Sequence, residues 1–193
     1  MESNAAARFC FTLPPWAQEL SAEAEGRKFS HVEEKMSWVL ELGRRNIRDG
    51  GGPFGAAIFD MNSGTLIAPG VNRVMACGCS VLHAEIIAIM LAQQRLGSYT
   101  LTPETGPGYE LVTSTEPCAM CLGAIPWAGI KRLVCGARDA DARAVGFDEG
   151  DKPDLWVEKL ERRGIEVQCD VCRNEAAALL KHYLLNGGNI YNG

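Results

Sequence analysis

The chain has 193 residues, 47% of them hydrophobic, with a formal net charge of −5 and a pI near 5.3. That length suits one domain with a full core rather than two, and the acidic balance argues against a nucleic-acid-binding surface. No apolar run reaches the length of a membrane span or a signal segment, and eight cysteines in a chain of this size read as reduced thiols, so a cytoplasmic protein is expected.

Residues 1–30 read as an N-terminal extension, aromatic and proline-containing from Phe9 to Trp16 and polar from Ser21 to Ser30. An arm packed on the body or on a partner subunit and a frayed tail both fit it. The domain proper spans 31–193. From His31, apolar residues at Val32, Met36, Val39, Leu40 and Ile47 fall at helical spacing, and Asp49 to Pro53 (DGGGP) breaks the helix. Ala56 to Asp60 reads as a buried strand, Asn62-Ser63-Gly64 as a turn, and Thr65 to Ala68 as the return strand of a hairpin. The run to Ser80 reads as a loop. His83 to Leu96 is apolar nearly all round, as in a helix sandwiched inside a protein, with Gly97 as its stop. Glu110 to Thr113 is a third strand, followed by a short helix limited by Pro126 and Gly129. Arg132 to Gly136 and Ile165 to Cys169 read as strands. Pro153 to Arg163 reads as a helix with Leu155, Trp156 and Leu160 inward, and Asn174 to Leu185 as a closing helix. Residues 186–193 form a turn-rich tail. Strands alternating with helices after an initial hairpin imply a three-layer α/β/α sandwich around a five-stranded mixed sheet, with its ligand crevice where helices open after strands.

The chemistry concentrates in His83-Ala84-Glu85 and Pro117-Cys118-Ala119-Met120-Cys121. One imidazole and two thiolates suit Zn2+, and three protein ligands leave a tetrahedral position open for water, as catalytic sites do. Cys118 and Cys121 share a face if helical, and Thr115 as N-cap with Pro117 in the first turn would put both thiols near a helix start. A zinc knuckle would need a fourth ligand, and a redox Cys-x-x-Cys explains neither His83 nor Glu85. The second such pair, Cys169 and Cys172, has no nearby histidine, and no metal role is expected of it.

The order H-x-E followed by P-C-x-x-C is the signature of zinc deaminases acting on nucleobases, and in these motifs the chain resembles the cytidine-deaminase-like superfamily. Gly51 to Ala56 (GGPFGA), Asn72, Cys118 to Ile125 (CAMCLGAI), Trp127 and Gly146 to Glu149 (GFDE) resemble its guanine deaminase branch. The Leu-Pro-Pro of the arm and the Asn-Ile-Tyr-Asn ending resemble a bacterial subgroup acting on guanine and the triazine ammeline. The resemblance implies a cytidine-deaminase-like fold, a homodimer, and zinc held by His83, Cys118 and Cys121. It implies Glu85 as proton shuttle, Asn72 and Glu149 at the base edge, and Phe54, Ala84 and Trp127 around the base. It also implies Tyr191 in a tail closing over the site. The branch often ends its late motif in two aspartates, where this chain has Asp148-Glu149.

The residue types agree with that implication. Guanine presents N1–H beside its C2 amine, and a carboxylate, an acceptor-only group, can take both. Adenine and cytosine place a lone pair beside the amine instead. The expected reaction is zinc-dependent hydrolysis of guanine to xanthine and ammonia, with Glu149 assisting departure of the amine. Guanosine and ammeline are the nearest alternative substrates. A deaminase of tRNA adenosine and a non-catalytic zinc domain are the more distant readings.

Overall fold

The computed structural model describes residues 10–192. Their elements are α1 (Pro15–Glu23), α2 (Val32–Arg48), β1 (Gly55–Asp60), β2 (Leu66–Val71), α3 (Val74–Cys77), α4 (Ala84–Leu96), β3 (Tyr109–Thr115), α5 (Ala119–Ala128), β4 (Arg132–Ala137), α6 (Asp139–Ala144), α7 (Trp156–Glu161), β5 (Glu166–Gln168) and α8 (Arg173–Leu185). The strands form one sheet in the order β2-β1-β3-β4-β5. β1 pairs antiparallel with β2 and β3, whereas β3, β4 and β5 run parallel.

Alternation along the strands builds a core on each face. Ala57, Phe59, Val112 and Val134 pack with Met36, Val39 and Leu40 of α2 and Leu179 and Leu180 of α8. Ala56, Ile58, Leu111 and Leu133 pack with Ala88 and Ile89 of α4, Ile125 of α5 and Leu160 of α7. The expected three-layer sandwich is therefore present. No helix among the described residues is long and apolar enough to cross a membrane.

Local features fill in some of these expectations and correct others. Residues 1–9 lie outside the described residues, but the remainder of the extension packs on the body. It forms α1, buries Ala17 and Leu20, and sends Phe29 edge-on against Trp38 and Phe59 at 6.2 and 5.2 Å. β2 runs on through Pro69 to Val71. An edge strand tolerates the missing N–H of Pro69 on its unpaired side. The loop after it contains the single turn α3. α7 starts only at Trp156, because Leu155 adopts a left-handed conformation (φ 55°) and points outward, 62% exposed. On α8, Ala176, Leu179, Leu180 and Tyr183 are buried, whereas Leu184 is 43% exposed.

Candidate active site

α4 and α5 both start at the carboxyl ends of strands, on the same sheet face. Close approach sets where α4 begins: a Cβ on Gly70 of β2 would lie 2.0 Å from the Ala84 carbonyl oxygen. His83 is the N-cap residue of α4 and Cys118 that of α5. Thr115 is the last residue of β3 rather than the N-cap, because the ladder with β4 continues through the pair Thr115 and Ala137. Cys118 and Cys121 thus stand at N-cap and N3 and face one way, toward His83.

His83 Nδ1 lies 3.5 Å from Cys118 Sγ and 3.6 Å from Cys121 Sγ. A tetrahedral zinc with Zn–N near 2.0 Å and Zn–S near 2.3 Å separates such ligands by about 3.6 Å. The three ligand atoms all lie within 4.8 Å of one another and are the only such cluster of three among the described residues. The donor set therefore fits zinc without rearrangement. A hydrogen bond from Cys121 helps hold the Cys118 thiol down at about 4, and the two helix N-termini favour the same anionic form. Cys169, Cys172 and Cys135 form no comparable cluster, and all eight cysteines are free thiols.

Glu85, at N2 of α4, is 6% exposed. Its carboxyl receives a hydrogen bond from Thr113 Oγ1 at 3.3 Å and lies 3.6 Å from Cys121 Sγ. Burial, then the negative charge of Cys118, raises its pKa above the usual carboxylate range.

A cavity of ≈ 370 Å³ opens above this cluster. Phe54, Asn72, His83, Glu85, Cys118, Glu149 and Tyr191 all line it, so seven of the ten sequence-nominated side chains with Cys121 beneath them meet at one place. Glu149 is only 6% exposed, and burial, reinforced by the charges of Cys118 and Glu85, pushes its carboxyl up to about 8. Its backbone carbonyl accepts the Ala119 N–H at 2.9 Å, fastening the loop to the start of α5. From the other side Arg143 of α6 donates to the Gly150 carbonyl at 2.7 Å. Asn72 Oδ1 accepts the Val74 N–H at 3.3 Å, which leaves its Nδ2 free for the cavity. Tyr191 packs edge-on against Phe147 at 5.4 Å with its hydroxyl buried and unpartnered. Asn192 ties the tail to the Glu149 loop by accepting the Asp148 N–H (2.9 Å) and donating to the Gly146 carbonyl (3.1 Å).

Two nominations are corrected. Trp127 is 88% exposed and lies outside the cavity, because α5 turns that face away from the sheet toward Trp156 and Pro153. Ala84 is fully buried against β2 and does not line the cavity. Phe147, Glu116 and Met120 line it without having been singled out individually. Phe147 alone carried a usable signal, an aromatic residue two positions before Glu149, and its ring meets Phe54 at 4.9 Å.

The family model for the cytidine and deoxycytidylate deaminase zinc-binding region matches residues 30–137. The chain belongs to this family. It is 44% identical over 99 residues to the guanine deaminase of Bacillus subtilis (strain 168), a match covering 51% of the chain and 59% of that protein. The fold of a guanine deaminase from Nitrosomonas europaea superposes with a TM-score of 0.88 at 46% identity, covering 92% of this chain and 97% of that one. A related structure solved in complex with 2,6-diaminopurine gives 0.87 at 49% identity, covering 94% and 95%. The family assignment makes the chain a zinc-binding deaminase, a hydrolase of cyclic amidines.

Proposed function

We propose that the protein hydrolyses guanine to xanthine and ammonia, with His83, Cys118 and Cys121 as the zinc ligands. The observation that carries this reading is a buried carboxyl, Glu149, on the wall of the same ≈ 370 Å³ cavity as the His-Cys-Cys cluster. A surface carboxylate would say nothing about the substrate. A buried one facing the cavity needs partners there, and the adjacent N1–H and C2 amine of guanine supply two donors. The likeness to guanine deaminases from two bacteria supports the same substrate.

Zinc, when bound, acidifies a coordinated water to a pKa of about 7 and so supplies the nucleophile for C2. The chain's own groups do the rest. Glu85 takes a proton from the attacking water and delivers it to the ring nitrogen beside C2. Its burial and its pKa, raised above the usual carboxylate range, suit a group that must both accept and release a proton. Glu149, ionised when guanine brings two donors to its buried carboxyl, accepts from the amine and N1–H and assists the final proton transfer that lets ammonia leave. Asn72 donates to the opposite edge of the ring through Nδ2. Phe54 packs against the ring, and Tyr191 covers it and excludes water.

A free base is the smaller fit for a cavity of ≈ 370 Å³ part of whose wall is the tail, through Tyr191 and Asn192. Ammeline carries the same donor pair and is a second candidate. An ammonia-release screen of guanine, guanosine, ammeline, adenine and cytosine tests the reading. Guanine should lead, and a preference for cytosine or adenine would overturn it. A homodimer in a reducing, cytoplasmic setting completes the proposal. Exposed Trp127, Met120 and Met90 on the α4 and α5 layer offer an apolar face for the second copy, and light scattering would measure its mass.

A further inference from the structure

Asn46 is fully buried near the end of α2, yet it lines no part of the cavity. Its Nδ2 donates to two backbone carbonyls, Gly52 and Asn72, both at 2.8 Å. Its Oδ1 accepts from Arg73 Nη1 at 3.4 Å, and Arg73 Nη1 is in turn held by Asp49 Oδ2 at 2.8 Å. One side chain therefore braces the segment entering β1 against the segment leaving β2, where the only backbone bond between them is the Asn72 N–H to the Phe54 carbonyl at 3.2 Å. Those segments carry Phe54 and Asn72, two of the groups that face the ring.

Asparagine is an indifferent helix former, and burying its amide is costly unless every hydrogen bond is made. A leucine could fill the space, but it would orphan two carbonyls. The amide has a specific consequence at Asn72. That residue's carbonyl is held by Asn46, its N–H by the Phe54 carbonyl at 3.2 Å, and its Oδ1 by the Val74 N–H. With backbone and Oδ1 both fixed, the one group of Asn72 left to face the cavity is Nδ2.

We infer that Asn46 is a positioning residue for purine-edge recognition, holding Asn72 so that its Nδ2 points at the ring. The inference rests on the role proposed for Asn72 above. The amide converts a flexible strand exit into a preorganised donor, and its loss leaves Asn72 sampling rotamers that do not meet the base.

A double-mutant cycle on the zinc-loaded enzyme with guanine separates this role from a purely structural one. Asn72→Ala should cut kcat/KM by roughly 10- to 100-fold, the loss expected when one buried hydrogen bond to the ligand goes. Asn46→Ala should cut it by about tenfold in the native background, mostly through KM, and by no more than about twofold in the Asn72→Ala background, the scatter of independent pairs. Its effect on melting temperature should be the same in both backgrounds. An equal loss of kcat/KM in both backgrounds would overturn the inference while leaving Asn72 in place. An unchanged kcat/KM in Asn72→Ala alone would overturn the reading of Asn72, and the inference with it. If Asn46→Ala does not fold, Asn46→Ser, which keeps one hydroxyl donor in place of the two amide N–H groups, should show the same dependence on background with a smaller loss.

Discussion

Glu85 and Glu149 are both 6% exposed and share one cavity, yet their surroundings give them different tasks. Glu85 stands 3.6 Å from a zinc-ligand sulfur and is braced by Thr113, which suits proton transfer at the attacked carbon. Glu85→Gln should keep zinc, measured by metal analysis, while turnover falls by about 10²–10⁴, the usual worth of a general acid–base group. Glu149 lies on the cavity wall where it can select the ring. Glu149→Gln replaces one acceptor with a donor, so kcat/KM on guanine should fall by at least about tenfold, the cost of a buried donor left unpaired. The ligand triad was legible in the sequence because each ligand sits in a short motif whose spacing survives folding. Trp127 was not, because its motif cannot say which face of α5 meets the sheet. Asn46 was invisible for a related reason: its partners, Gly52 and Asn72, are 6 and 26 residues away and meet it only in the fold.

At the scale of elements, the helix starts matter most. His83 and Cys118 are both N-cap residues, so two backbone termini fix the metal ligands with no dedicated scaffold. Beside its hydrogen bonds through Asn189 and Asn192, the tail after α8 seats Tyr191 in a gap of the opposite segment. A Cβ at Gly52 would fall 1.9 Å from the Tyr191 hydroxyl and 3.2 Å from Asn72 Oδ1. Gly52→Ala should therefore dislodge Tyr191 and lower kcat, and combining it with removal of residues 189–193 should cost little more than the truncation alone, by steady-state ammonia release. Helices with strong stop signals, such as Gly97 after α4, were read from sequence to within a residue or so. β2 runs past Ala68 because Pro69, which has no N–H to donate, lies on an edge strand, a position set by the sheet and not by local pattern. The left-handed turn at Leu155 has no glycine or asparagine to announce it.

In the whole molecule, the sandwich followed from periodicity because each layer has its own spacing, whereas the closure of the tail over the site is a long-range event that no local pattern encodes. Zinc should tie the start of α4 to the start of α5, and it stabilises the fold because it binds the folded chain and not the unfolded one. Chelation should lower both activity and the melting temperature, with recovery on adding zinc back. Acid stability has a separate origin in α6 and α8. Arg173 holds the Asp141 carboxyl below its ordinary range, at 2.9 Å. The folded pKa lies below the unfolded one, so this contribution is present above about pH 4 and fades as pH falls through the folded value. Arg173→Gln should therefore lower the melting temperature near neutral pH, and the difference from the native protein should shrink in acid below pH ~4. Asn192, finally, grips the Asp148 and Gly146 backbone at the rim of the cavity. An affinity handle fused downstream of it would emerge beside the entrance and compete with guanine for room, so purification tags belong at the amino end.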